Sequence, residues 1–67
     1  MNLKQIFGIN ISSYRKLRKL SQEQLAEIMN VSRQAITKWE SDAGVPDASN
    51  LQMLAQTFGI TIDYLLS

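Results

Sequence analysis

The sequence predicts an all-α domain built from five short helices. Three observations carry that reading. Apolar residues recur at helical spacing in successive segments along all 67 residues. A Ser, Thr or Asp stands just ahead of most of those segments, where helix caps belong. Strand signals are weak, with no Asn-Gly hairpin and no sustained alternation.

The first helix runs roughly from Leu3 to Lys19. Leu3, Phe7, Ile11 and Tyr14 share one face, which Ile6 and Leu17 widen. Gly8 weakens a helix interior by about 1 kcal/mol relative to Ala. The helix is therefore expected to start in earnest near Gly8, with residues 1–7 a frayed extension. Arg15, Lys16, Arg18 and Lys19 crowd its last turn, where cations suit the dipole.

Ser21 opens the second helix. Ser21 and Gln24 have the spacing of a capping box. Leu25, Ile28 and Met29 make its apolar stripe, with Ala26 beside them. Asn30 tolerates the left-handed conformation and is the expected stop. Ser32 caps a third helix, Arg33 to about Ser41, whose inward residues are Ala35, Ile36 and Trp39. Residues 42–46 form a loop. Asp47 or Ser49 caps a fourth helix carrying Leu51, Leu54, Ala55 and Phe58, and Gly59 ends it. Thr61 caps a short fifth helix, Ile62 to Leu66, with Asp63 near its positive end.

Composition narrows the function. The chain has 45% hydrophobic and 19% charged residues, which suits one thin-cored domain over residues 1–67 and excludes intrinsic disorder. Cysteine and histidine are absent. Disulfides, thiolate or imidazole metal sites and cysteine nucleophiles are excluded with them. No metal and no cofactor is expected, and no small-molecule effector is evident. The longest uncharged stretch, Ala48 to Ile62, is too short and too polar to span a bilayer. No basic segment leads into an apolar run at the start, which speaks against a secretory signal. A soluble, cytoplasmic domain is the expectation.

The charges are polarised. All seven basic residues precede Trp39 and are opposed there by Glu23 and Glu27 alone, leaving +5. From Trp39 onward the four acids Glu40, Asp42, Asp47 and Asp63 meet no base, leaving −4. Such a chain can turn a basic face to a polyanion while its far end repels it.

Residues 22–41 combine these features. Two short helices, a turn of about three residues, small Ala26 at the approach and a polar outer face on the second helix are what a helix-turn-helix requires. The stretch LSQEQLAEIMNVSRQAITKWE, then Pro46-Asp47 and FGITIDYLL, resembles the Cro/repressor (XRE-like) helix-turn-helix family of bacterial and phage transcriptional regulators. The likeness covers the chain from about Gly8 to Leu66.

The resemblance implies a lambda-repressor-like DNA-binding fold, with the third helix in the major groove of a double-stranded DNA operator. Arg33, Gln34, Thr37 and Lys38 are then the residues presented to bases. Their chemistry fits that role. Arg can fork onto guanine O6 and N7, and Gln can pair with adenine N6 and N7. Thr37 offers a methyl or a hydroxyl, and Lys38 a cation for base or phosphate. The matching Gln of the family binds a backbone phosphate, which assigns that role to Gln22. Ser32 shares it or is a plain cap, and Arg15, Lys16 and Lys19 are expected at phosphates, with Arg18 a further candidate. Glu40 opposes the dipole at the end of its helix, and the family pattern pairs it with Arg15. One reading helix specifies only about four or five base pairs, so a homodimer on a two-fold site is expected. The resemblance places the dimer contact at Gly59, Ile60, Thr61 and Leu66.

The sequence departs from the family after Trp39-Glu40. Many members continue with Asn-Gly and basic residues, whereas this chain has Ser41-Asp42 and no base after Lys38. Asp42 and Asp47 should weaken the grip on phosphate there, leaving modest and strongly salt-dependent binding. Many members also carry a second domain beyond the position of Ser67. The expected activity is sequence-specific regulation of transcription, as a repressor, at the nucleoid. An enzyme is the first alternative, since Glu23 and Glu27 could face one another, but they read better as a solvated helix face. The second is an antitoxin or small helical protein-interaction module on the same scaffold. Its interface would favour aromatic or aliphatic anchors on the third helix, where this chain has Arg, Gln, Thr and Lys.

Overall fold

Ser21, Ser32, Asp47 and Thr61 stand in extended backbone, and each accepts the amide three residues ahead at 2.9 to 3.1 Å. Four helices begin at these caps. The computed structural model describes residues 3–67. Its helices are α1 (Leu3–Leu17), α2 (Gln22–Met29), α3 (Arg33–Glu40), α4 (Ala48–Phe58) and α5 (Ile62–Leu66), with no strand among the described residues. At Ser21 the capping box is complete, because the Gln24 side chain also accepts the Ser21 amide at 2.8 Å. Asp47, rather than Ser49, caps α4.

The helices stop as regularly as they start. Lys19, Asn30, Asp42 and Gly59 all have φ between 57° and 71°. After each one, the next amide reaches back to a carbonyl five residues earlier, at 2.9 to 3.1 Å. These are Schellman endings, which satisfy carbonyls the helix leaves open. Only one of the four left-handed residues is glycine. The chain thus turns sharply four times and folds its helices back onto one another.

The core gathers Phe7, Ile11, Leu25, Ala26, Met29, Ile36, Trp39, Leu54, Phe58 and Leu65, drawn from all five helices. Tyr14 stacks on Phe58 at its edge, with ring centroids 5.7 Å apart. Two residues assigned to apolar stripes are on the surface instead: Leu17 is 68% exposed and Ile28 is 52% exposed. Helical geometry explains both. At about 100° per residue, each lies roughly a quarter-turn from the middle of its helix's buried face. The side chains of Leu3 and Ile6, expected on the same stripe as Phe7, lie outside the described residues.

α1 is continuous through Gly8. Gly8 has a different reason to be glycine. A Cβ at this position would lie 2.5 Å from the Glu40 carbonyl oxygen and 2.6 Å from Asp42 Oδ1. α1 therefore crosses the end of α3 at backbone distance. Two further ties fix α1 on the rest of the fold. Asn10 Nδ2 donates to the Leu65 carbonyl at 2.9 Å. An Arg18 guanidinium nitrogen donates to the Phe58 carbonyl, which the end of α4 leaves open.

Candidate nucleic-acid interface

Ile36 and Trp39 hold α3 in the core, with Ala35 half-buried beside them. The opposite side of the helix is then forced outward. Arg33, Gln34, Thr37 and Lys38 are all exposed and together line an open concavity of about 560 Å³. All four carry hydrogen-bonding groups, and no large apolar side chain interrupts them. Arg33 sits on the first turn of α3, where a cation gains nothing from the dipole. Its place there is not explained by helix stability.

The orientation of α3 is set by a network behind this face. Arg15 Nε lies 2.6 Å from Glu40 Oε2 and its Nη2 lies 3.2 Å from Oε1. The third donor, Nη1, reaches the Leu20 carbonyl at 2.9 Å. The two side chains are 12% and 9% exposed, so the pair is shielded from water. It anchors the last residue of α3 to α1 and to the turn that precedes α2.

Gln22 extends the network to the outer face. It is the first residue of α2 and is half-buried. Its Nε2 donates to Glu40 Oε1 at 3.0 Å, and its Oε1 accepts from the Thr37 hydroxyl at 3.3 Å. Thr37 also contacts the Arg33 carbonyl at 3.1 Å. Four residues from three helices thus form one connected set, running from Arg15 inside to Thr37 outside.

The residues expected at phosphates separate into two groups. Lys16 and Lys19 are exposed, as is Ser32, whose hydroxyl oxygen caps α3. Gln22 is half-buried and lies between Glu40 and Thr37, hydrogen-bonded to both. Arg15 is different: its donors are engaged by Glu40 and Leu20, and a phosphate would have to compete for them. Arg18 differs as well, since it reaches back to Phe58. Asp42, expected to weaken phosphate contact from the loop, also accepts the Gly8 amide through Oδ1 at 3.2 Å. Asp47 is the cap of α4. Neither the Arg18 link nor the Asp42 link has a local sequence signal, because each joins residues more than thirty positions apart.

At the far end, Gly59 and Thr61 are exposed, while Ile60 and Leu66 pack partly onto the core. The apolar groups that project from α5 are Ile62 and Tyr64, neither of which the sequence singled out.

A family model described as helix-turn-helix matches residues 11–65. The HTH-type transcriptional activator BcrR of Enterococcus faecalis is 46% identical over 61 residues, covering 91% of this chain and 30% of that protein. Control protein C.SmaI of Serratia marcescens is 37% identical over 67 residues, covering the whole chain and 80% of that protein. The chain therefore spans less than a third of one relative and four fifths of the other. Among solved structures, the DNA-binding domain of the phage P22 c2 repressor superposes with a TM-score of 0.86 at 35% identity, covering 100% of this chain and 92% of that one.

Proposed function

The chain belongs to the helix-turn-helix family of the Cro/repressor type, and from that premise we propose that it binds double-stranded DNA sequence-specifically and regulates transcription, as a repressor. One observation carries the reading. α3 presents Arg33, Gln34, Thr37 and Lys38 on a single exposed face, and its position is fixed from behind by the Arg15, Glu40 and Gln22 network. A rigid helix with a polar outer face, sized for a groove about 12 Å wide, is what direct readout of bases requires.

In this reading Arg33, Gln34, Thr37 and Lys38 meet base edges. Lys16, Lys19, Gln22 and Ser32 meet phosphates on either side. Arg15 holds the frame and contributes to the positive field. Repression follows from occupancy, since a protein seated on an operator excludes polymerase from it. The similarity to the P22 c2 repressor domain supports that direction. An interaction module is less well supported, because the outer face of α3 lacks the apolar anchors such an interface uses. The regulator would act in the cytoplasm at the nucleoid.

Dimerisation completes the reading. Two copies joined through Gly59, Ile60, Thr61 and Leu66, with Ile62 and Tyr64 beside them, would place two reading helices on one operator. Half-sites would then repeat about 34–36 Å apart along the duplex. Selection of bound sequences from a random DNA pool tests the whole proposal. The expected result is a consensus of two inverted half-sites. A pool that stays unenriched after repeated rounds would overturn sequence-specific binding, and a single unrepeated half-site would overturn the dimer.

A further inference from the structure

The network behind α3 does more than hold the helix; it fixes what one reading residue can recognise. Resting on the assignment of α3 as the reading helix, we infer that Thr37 meets DNA as a hydrogen-bond acceptor and selects a base amino group, adenine N6 or cytosine N4.

The inference follows the direction of each hydrogen bond outward from Arg15. Guanidinium groups only donate, and a carboxylate only accepts. Arg15 thus holds Glu40 with Oε1 presented to Gln22. A side-chain amide has one donating end and one accepting end of nearly identical shape. Beside the Glu40 carboxylate, only the Gln22 nitrogen can lie at the observed 3.0 Å. That turns the Gln22 oxygen toward Thr37. The Thr37 hydroxyl then has two neighbours, Gln22 Oε1 at 3.3 Å and the Arg33 carbonyl at 3.1 Å. Both are acceptors. The hydroxyl carries a single hydrogen, and that hydrogen is committed inside the protein.

What remains on the exposed side of Thr37 is lone-pair density. In the major groove, adenine N6 and cytosine N4 donate, whereas guanine O6 and N7 and thymine O4 accept. Only the first two can pair with Thr37 as it is held. Thymine O4 or guanine O6 would force the hydroxyl to abandon both internal partners. Arg33, one turn earlier, has the opposite polarity, because it has donors alone. The face of α3 therefore carries a donor followed by an acceptor. Thr37 held in this way separates a base that donates from one that accepts, and leaves adenine and cytosine equivalent.

The test uses the wild-type chain and two variants, T37V and T37S, against the sequence selected from a random pool. Valine keeps the shape and the methyl and removes the acceptor; serine keeps the acceptor and removes the methyl. T37V should lose about 5–10-fold in preference at one base pair, the usual weight of a single hydrogen bond. T37S should keep that preference. Replacing the base facing Thr37 by its amine-free analogue, purine for adenine or 2-pyrimidinone for cytosine, should weaken the wild type more than T37V by the same factor. Circular dichroism checks that each variant is folded. Preference retained in T37V and lost in T37S would assign the reading to the methyl and overturn the inference. An equal effect of the analogue on wild type and T37V would overturn it as well. If the wild type selects no consensus at all, the failure lies with the DNA-reading assignment itself.

Discussion

Gly8 and Asp42 meet where α1 crosses the end of α3, and the Gly8 amide donates to Asp42 Oδ1 at 3.2 Å. The contact has two requirements. Position 8 must lack a Cβ, which would sit 2.5 Å from the Glu40 carbonyl oxygen. Residue 42 must adopt positive φ, here 63°, to end α3 and swing its carboxylate back. Together they set how closely the first helix approaches the reading helix.

Replacing Gly8 with Ala should therefore destabilise the domain, although the same change within an ordinary helix stabilises it by about 1 kcal/mol. The new methyl meets backbone, which cannot rotate away, and such overpacking costs about 1–3 kcal/mol. A 2.5 Å approach to backbone belongs at the upper end of that range, so the net loss is about 2 kcal/mol, and Tm falls by roughly 4–8 °C per kcal/mol in a domain of this size. A G8A variant that melts at or above the wild-type temperature would show that the crossing has room to spare.

Glu40→Ala removes the partner of Arg15 and the acceptor of Gln22 at once. With the Arg15 side chain only 12% exposed, the unpaired charge cannot simply hydrate in place. The expected loss is about 2–4 kcal/mol, near the range for breaking a buried pair from one side. Removing both members should cost less than the sum of the single changes, because the double variant R15A/E40A leaves no stranded charge. Thermal melts of the three variants measure this directly. Additive losses would mean that the two side chains act independently despite their contact.

How much of this was legible in the sequence depends on how far apart the interacting residues are. The capping box at Ser21 and Gln24, the stop at Asn30 and the cap at Ser32 lie within a few residues of what they bind, so residue type and spacing announce them. The outer face of α3 was legible for the same reason, since burying Ile36 and Trp39 dictates where Arg33 and Thr37 point. Leu17 and Ile28 were misplaced because apolar character alone cannot distinguish the middle of a buried stripe from its edge. Arg18 and Asp42 could not be read at all. Arg18 looks like one more cation in a basic last turn until α4 brings the Phe58 carbonyl beside it. Asp42 looks like a solvated loop acid until Gly8 arrives from 34 residues away.

Lys19 offers a variant in which stability and binding should move in opposite directions. It holds φ at 57° to close the ending of α1, a conformation that disfavours side chains other than Gly and Asn. Lys19→Gly relieves that strain, worth about 1 kcal/mol, less part of it for the looser unfolded chain. Tm should rise by a few degrees. The same change removes an exposed cation proposed to lie at a phosphate, so affinity for any DNA should fall and the salt slope should shrink by about 1. A K19G chain that melts higher but keeps the full salt slope would remove Lys19 from the phosphate contacts.

Arg33 and Gln34 separate reading from folding most cleanly. Both are exposed on the first turn of α3, and neither side chain makes a hydrogen bond among the described residues. A cation there opposes the helix dipole, so Arg33→Ala should leave Tm unchanged or slightly higher. Affinity for the selected operator should nevertheless fall by about 1–3 kcal/mol, while affinity for random DNA falls far less. Gln34→Ala should behave alike at a different base pair, with almost no change in salt slope because it carries no charge. Titrations of both variants on consensus and scrambled duplexes at several salt concentrations supply every quantity needed. Equal losses on the two duplexes would reduce Arg33 to one more positive charge. No loss on either would place the reading surface elsewhere on the domain.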